Sequence, residues 1–462
     1  MAASIYRCSG ELSVWQWLKS MRGCKQYALF AWDDPGPFLN HVMRRLTGKP
    51  RKAVGKLAAI AKSIGEQASF YIGSSSKLWE PQTNATHIQA TIDWLCAAQD
   101  ATDNGGVARG YSFKSTPTFS TVGWQPPYPE TTGYIISTFF DCANSGQHIL
   151  SPGMQDKLRD RAIRMADWEI EVQLPNGGIQ GGVLGDPPSP VVFNTGQVLL
   201  GWCRAYNETG DANYLRALQR AAAFLVEIQD KGGGWRRFSS RNGDFHIRAH
   251  HVRVSWALLR VNQITGDDAS REAAIHNIEF TLKLQQPNGW YRSNDLQPEY
   301  NQYPLTHTIA YATRGLLESG MVLNEPRYIA AAKTTADAVL KRLQPRGYLP
   351  GQFYADWKPA ARWCCLTGNA QMAIIWLKFY QLTGDSRYLH AAQQVNHFLK
   401  ATQDLQSSNS GIRGGIAGCY PIHGHYGRYQ YLNWAAKFFI DALLLEEKCC
   451  GEVEGQYEQL IY

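Results

Sequence analysis

What this 462-residue chain lacks narrows it first. No stretch approaches the about 18 consecutive apolar residues of a membrane-spanning helix. The opening MAASIYRCSGELSVWQW lacks the charged start, apolar core and small-residue cleavage site of a secretory leader. Its ten cysteines lie mostly inside helical patterns or as adjacent pairs, such as Cys364-Cys365 and Cys449-Cys450, which argues against a disulfide framework. The expectation is a reduced, cytoplasmic protein. Alternating strand patterns are few, so any sheet is small. No zinc-finger, RNA-binding or helix-turn-helix signature occurs, and nucleic acid is not an expected partner. The formal net charge of +7 is modest for this length.

What the chain has is a repeat. Six times an apolar stretch runs into Gln and then into a glycine-rich turn: WLCAAQDATDNGGV, WEIEVQLPNGGI, FLVEIQDKGGGW, FTLKLQQPNGW, VLKRLQPRGYL and FLKATQDLQSSNSGI. The glutamines are Gln99, Gln173, Gln229, Gln285, Gln344 and Gln403, a period of 56 to 59 residues after a first interval of 74. Such a period marks a repeat architecture.

Each interval holds two helix-length segments. The first is apolar nearly all round (130–142, 194–206, 251–263, 307–320, 369–381, 433–446), as a helix buried on every side would be. The second (156–173, 212–229, 268–285, 326–344, 385–403) alternates apolar and charged residues at helical spacing, which leaves one wet face. Three of the apolar segments stop at Thr-Gly-Asp, where Gly suits a left-handed C-terminus and Asp caps the next helix. The pattern predicts an all-α fold, an (α/α)6 toroid with inner and outer rings of helices around one central cavity. An open solenoid of helix pairs is the alternative. Residues 1–85 read as an N-terminal helical extension and 86–462 as the toroid domain. The extension carries a basic run, 43–63, that suits a membrane surface or an acidic partner, or is simply a solvated helix face.

The segment FLVEIQDKGGGW resembles the Gln/Gly/Trp repeat of squalene cyclases and protein prenyltransferases, but the Asp-rich motif and the metal-ligand set of those terpenoid-cyclase-like toroids are missing. GWQPPYPETTGYIISTFF, THTIAYATRGLLESG, CLTGNAQMAIIWLKFYQLTGD and NWAAKFFIDALLLE resemble helical proteins of bacterial polysaccharide-biosynthesis gene clusters, with an arrangement similar to the helical domains of glucuronyl C5-epimerases and polysaccharide lyases. The resemblance implies a role in exopolysaccharide production or trimming, and no particular reaction.

In a closed toroid the inner-helix N-termini and the loops before them converge, and a concave, mostly apolar pocket there is where a site is sought. The polar residues so placed are Glu130, Asn194, His251, Arg253, His307, Tyr311 and Tyr426. This set suits proton abstraction beside a uronate carboxylate. Arg253 and Asn194 would hold the carboxylate, His251 or His307 would take the proton, and Tyr311 would donate one. Elimination would make a lyase, and reprotonation on the opposite face a C5-epimerase. Helix capping explains Glu130 and Asn194 equally well. Trp124, Trp235, Trp290 and Trp357 sit in the rim loops with Tyr300, Tyr303 and Tyr354, where aromatic faces suit stacking on an oligo- or polysaccharide, an acidic one by this reading.

Inverting glycoside hydrolysis is the alternative chemistry, with Asp186, Asp244, Asp295, Glu299 or Asp356 supplying the second carboxylate about 6.5–9.5 Å away. A third reading is a glycan-binding protein without turnover. Cys364, Cys365, Cys419, His423 and His425 contain metal-ligand types, as in zinc-dependent lanthionine-synthase-like toroids, but match no compact zinc spacing. No metal or cofactor is expected.

Overall fold

The computed structural model describes residues 77–115, 121–146, 148–241 and 246–451. The basic run 43–63, nearly all of the expected N-terminal extension and Asp244 lie outside these residues. Twelve α-helices occur among them: α1 (Asn84–Asp100), α2 (Pro129–Ala143), α3 (Pro152–Glu171), α4 (Val192–Thr209), α5 (Ala212–Glu227), α6 (Val252–Thr265), α7 (Asp268–Leu284), α8 (Thr306–Leu323), α9 (Pro326–Leu340), α10 (Leu366–Thr383), α11 (Ser386–Thr402) and α12 (Asn433–Cys450).

The Thr-Gly-Asp stops act as their chemistry predicts. Gly210, Gly266 and Gly384 take φ of 71°, 71° and 69°, which costs a glycine nothing. Thr209 donates to the Ala205 carbonyl (2.7 Å) and accepts from Asp211 N (3.1 Å), while Asp211 caps α5 through Asn213 N (2.7 Å). Thr265 and Asp267 repeat this between α6 and α7, and Thr383 and Asp385 between α10 and α11.

The signature glutamine is a staple between repeats. Gln173 Nε2 donates to the carbonyl of Gly177 in its own turn (2.9 Å) and to that of Ala217 on the next outer helix, α5 (3.0 Å). Gln99 reaches Gly105 and Arg161 of α3, Gln229 reaches Gly233 and Ala273 of α7, and Gln285 reaches Ala331 of α9. Gln344 departs from the pattern and donates to Arg342 of its own turn.

Helices α2, α4, α6, α8, α10 and α12 form the inner ring, each packed on the next, and α12 packs back onto α2. Outside them stand α3, α5, α7, α9, α11 and α1, the last covering α12. The ring is therefore closed, an (α/α)6 toroid, and the solenoid alternative falls. Gln403 makes the last staple onto the first helix, donating to Thr91 Oγ1 of α1 (2.8 Å) and to the Gly414 carbonyl (2.6 Å). A three-stranded sheet seals the same seam. Its order is β2-β1-β5, from β1 (Gly110–Ser112), β2 (Gly123–Trp124) and β5 (Gln430–Leu432), with Tyr111 opposite both Trp124 and Tyr431. A two-stranded ladder pairs β3 (Cys364–Cys365) with β4 (Cys419–Tyr420).

Inner helices approach closely. A Cβ on Gly201 of α4 would lie 2.1 Å from the Gly133 carbonyl oxygen of α2, so only glycine fits there. Below the mouth, buried side chains of the inner ring meet one another. Arg253 packs on two rings there, its guanidinium 5.2 Å from that of Tyr311 and 5.7 Å from that of Phe438. Deeper still, charges pair between neighbouring inner helices, Arg204 with Asp141 (2.6 Å) and Lys378 with Glu318 (3.0 Å), while Lys437 pairs with Asp441 along α12 and Asp441 accepts from Thr138 of α2 (2.7 Å).

Candidate active site

All six repeats contribute to one layer at the inner-helix N-termini. Repeat sequence periodicity places a polar residue there, and a clamp beside it holds the incoming turn. Val107 N donates to Thr132 Oγ1, Ile179 N to Thr195 Oγ1 and Leu349 N to Asn369 Oδ1 (2.9, 2.9 and 2.8 Å). Asn194, expected to hold a substrate carboxylate, spends its amide on the Gln180 carbonyl (2.9 Å) and is structural in that bond.

Glu130 stands in the first turn of α2, half-buried, and accepts a 2.5 Å hydrogen bond from the hydroxyl of Tyr128, also half-buried. Burial pushes the Glu130 carboxyl up to about 7, against the lowering pull of the Tyr128 hydrogen bond and of the Arg109 and Arg253 guanidinium charges. No carboxylate figures among its charged neighbours. Arg109, which the sequence did not single out, lies at the same level. Its Nη1 donates to Gln430 Oε1 (3.0 Å), and its guanidinium sits 4.9 Å above the Trp434 ring. Solvent reaches Arg109, Tyr128 and Glu130, and their charges and hydroxyl act on one another at the accessible floor.

Beneath them the polar groups are buried. His307 Nδ1 donates to Gln371 Oε1 (2.8 Å), and its ring lies 4.3 Å from Tyr311 and 5.4 Å from Tyr426. Burial lowers His307 to about 3 and holds His250 well below its usual value, so both stay neutral. Arg253 Nε donates to Gln197 Oε1 (2.6 Å), and its buried Nη1 has no partner. Burial, then the Glu130 charge, keep Tyr311 protonated. Phe193 bridges the groups, 4.8 Å from Tyr311, 5.4 Å from His250 and 6.4 Å from His251. The Tyr426 hydroxyl accepts from Trp434 Nε1 (2.8 Å).

The structure thus brings Glu130, His251, Arg253, His307, Tyr311 and Tyr426 together. It does not bring the rim tryptophans with them. Trp235 is buried and donates to the Leu225 carbonyl (2.9 Å), Trp290 is buried, and Trp357 is buried and donates to the Asn288 carbonyl (2.9 Å). These three fill the wall, because an indole seals more apolar surface between loops than any other side chain. Trp124 alone of the four keeps an accessible face, packed 5.1 Å from Trp94. Asp356 is exposed and paired with Lys358 (2.7 Å).

The proposed hydrolase acids are also occupied. Asp186 pairs with Arg241, and Asp295 accepts from Leu305 N (2.9 Å) and Gln297 N (3.2 Å). Among the described residues no group of three or more His, Cys, Asp and Glu is placed to hold a metal. Cys364, Cys365 and Cys419 are buried thiols whose ionisation burial suppresses.

No protein-family model and no curated protein matches this sequence, so the polysaccharide-cluster resemblance has no support from sequence families. The fold has clear relatives among solved structures. An unsaturated glucuronyl hydrolase specific for heparin superposes with a TM-score of 0.61 at 17% identity, over 79% of this chain and 97% of that one. Cellobiose 2-epimerase from Bacillus thermoamylovorans gives 0.60 at 12% identity, over 78% and 96%. An unsaturated glucuronyl hydrolase responsible for glycosaminoglycan degradation, from a Bacillus species, gives 0.58 at 16% identity, over 77% and 96%. At such identities the likeness establishes a shared toroid.

Proposed function

We propose that the protein is a carbohydrate-processing enzyme that moves a proton at a uronate sugar, with Glu130 as the acid–base group. The observation that carries this reading is a single carboxyl group, raised to about 7, on the accessible floor of the toroid mouth and hydrogen-bonded to Tyr128. A group with that value is partly ionised at neutral pH and works as a base without a large driving-force penalty. The Arg109 and Arg253 charges both act on Glu130, and positive charge there favours a substrate carboxylate and the enediolate formed from it.

In the proposed reaction Glu130 takes the proton on the carbon bearing the carboxylate, and the electron pair passes into that carboxylate. Tyr311, kept protonated within the field of Glu130, is the proposed donor, while neutral His307 has its one N–H on Gln371 and positions the Tyr311 ring beside it. Return of a proton from Tyr311 inverts the centre, whereas loss of the neighbouring oxygen substituent, protonated as it leaves, gives an unsaturated sugar. Inverting hydrolysis needs a second carboxylate beside a water; the fold relatives keep that reading open, but the occupied loop acids do not favour it.

The test incubates the protein in heavy water with uronate-containing and neutral oligosaccharides. Deuterium at C5 or an unsaturated uronate is expected, with at least about 100-fold loss in Glu130→Gln. Activity should rise with pH through about 7 as Glu130 ionises. New reducing ends without either signal would establish hydrolysis instead, and a fully active Glu130→Gln would remove Glu130 from the chemistry.

A further inference from the structure

Two loops of the toroid carry tyrosines that the proposed reaction does not use. One (293–305) leads into α8 and the other (350–365) into α10, so both end at the layer of inner-helix N-termini that holds the candidate site. Among the described residues six large apolar or aromatic side chains are exposed, and three of them, Leu296, Tyr300 and Tyr354, belong to these two loops. Single apolar residues scattered over a surface are ordinary, whereas a cluster of them marks a contact site.

The backbone fixes where the rings stand. Tyr300 N donates to the Gln297 carbonyl (3.0 Å) and Tyr303 N to the Tyr300 carbonyl (2.8 Å), two turns closed by Asp295, which accepts from Leu305 N (2.9 Å). The second loop doubles back between Tyr354 N and the Lys358 carbonyl (2.9 Å), and Asn288 of an earlier turn pins it by donating to the Ala355 carbonyl (2.7 Å). Phe353 N donates to the Pro304 carbonyl (3.3 Å) and Leu305 pairs with Gln352, so the two loops are joined. Tyr303, half-buried, is the wedge between the exposed rings. Its centroid lies 5.9 Å from that of Tyr300, tilted by 43°, and 5.9 Å from that of Tyr354, edge-on at 74°. Rings already held by backbone hydrogen bonds lose little freedom when a ligand lands on them.

The charges of the tyrosine turns narrow the ligand. Residues 295–303 contain Asp295 and Glu299 and no cation, and residues 353–359 contain Asp356 and Lys358, which pair with each other (2.7 Å). The flanking cations, Arg292 and Arg362, lie outside both turns, and Arg292 donates to the Lys283 carbonyl of α7 (2.6 Å). No excess of positive charge is built in to hold a polyanion, and complementarity favours an uncharged partner. An aromatic face with a polar edge suits a sugar ring, whose C–H face lies on the ring while its hydroxyls reach the phenol and water. Resting on the saccharide reading of the site, we infer that Tyr300, Tyr303 and Tyr354 form an outlying platform for uncharged sugar units of the glycan whose reacting unit enters the mouth. The substrate class is then a mixed glycan, in which neutral sugars accompany the uronate, rather than a pure polyuronate.

Binding of neutral glycans, which the proposed proton transfer leaves intact, tests this. Calorimetry with the full chain would titrate cellohexaose, mannohexaose and maltohexaose at up to millimolar concentration. At least one should bind, and Tyr300→Ala/Tyr354→Ala should weaken it at least about tenfold. Tyr300→Phe/Tyr354→Phe, which keeps the faces, should retain most of the affinity. Far-UV circular dichroism would verify that each variant folds. Glycan binding without deuterium uptake from any uronate would leave the platform standing and remove the uronate chemistry; uptake without binding would do the reverse. The inference is overturned if none of the three hexamers binds, if the alanine variant binds as the wild type does, or if hexagalacturonate binds more tightly than all three through the same tyrosines. A wild-type dimer that the alanine variant reduces to a monomer in analytical ultracentrifugation would assign the patch to a second copy of the chain and overturn it as well.

Discussion

Glu169 shows how a side chain at a fixed helical spacing can be misplaced by charge and well placed by shape. It lies on α3, fully buried, and both carboxylate oxygens lack a hydrogen-bond partner. Burial alone raises its ionisation well above the usual range, so the folded protein holds it protonated. The unfolded chain releases that proton as pH climbs past the ordinary Glu value near 4.5; stability is therefore lost as pH rises from there. Glu169→Leu should stabilise the protein by about 1–3 kcal/mol, by more at pH 8 than at pH 5, in thermal melts followed by circular dichroism. An unchanged or lower melting temperature at pH 8 would contradict the burial argument. Glu130 differs from Glu169 in having a tyrosine, two guanidinium groups and solvent around it. The sequence displayed both as a Glu in a helix. Their different fates follow from neighbours contributed by other repeats.

At the scale of the element, the legible part was the repeat itself. Helix starts and stops fell close to expectation because apolar phase, Thr-Gly-Asp turns and Asp caps are local and act within a few residues. The glutamine at each turn was visible as a signature, but its work was not, since its second acceptor lies on the next outer helix, 44 residues on for Gln173. Removing that side chain leaves a turn carbonyl and an inter-repeat contact unmade. Gln173→Ala should cost about 1–3 kcal/mol. Gln344→Ala removes only a bond within its own turn and should cost about 0.5 kcal/mol or less. Urea titration of both variants checks the contrast, and equal losses would show that the staple is not what the glutamines share. The rim tryptophans were misplaced at this scale: a turn position does not tell whether an indole faces the mouth or the wall.

At the scale of the whole molecule, closure assembles the proposed site, because Arg109 and Glu130 belong to repeat one while Trp434 and Gln430, which seat Arg109, come from the far end of the chain. A Cβ on Gly110 would lie 2.3 Å from the Tyr431 carbonyl oxygen. Gly110→Val should therefore part β1 from β5 while the helical hairpins persist, giving near-native far-UV circular dichroism, a lower and broader melt, and new protease cleavage near the seam. A sharp melt at the wild-type temperature would show that the ring does not depend on that pairing. Periodicity and capping determined, from contiguous residues alone, that twelve helices would alternate between a buried inner and a half-wet outer ring. Only the tertiary structure decided which side chains of distant segments meet around Glu130, Arg109 and Tyr128 among them. The physical reason is separation along the chain: burial, charge and hydrogen bonding at this site are sums over six repeats, and such sums exist only once the ring has closed.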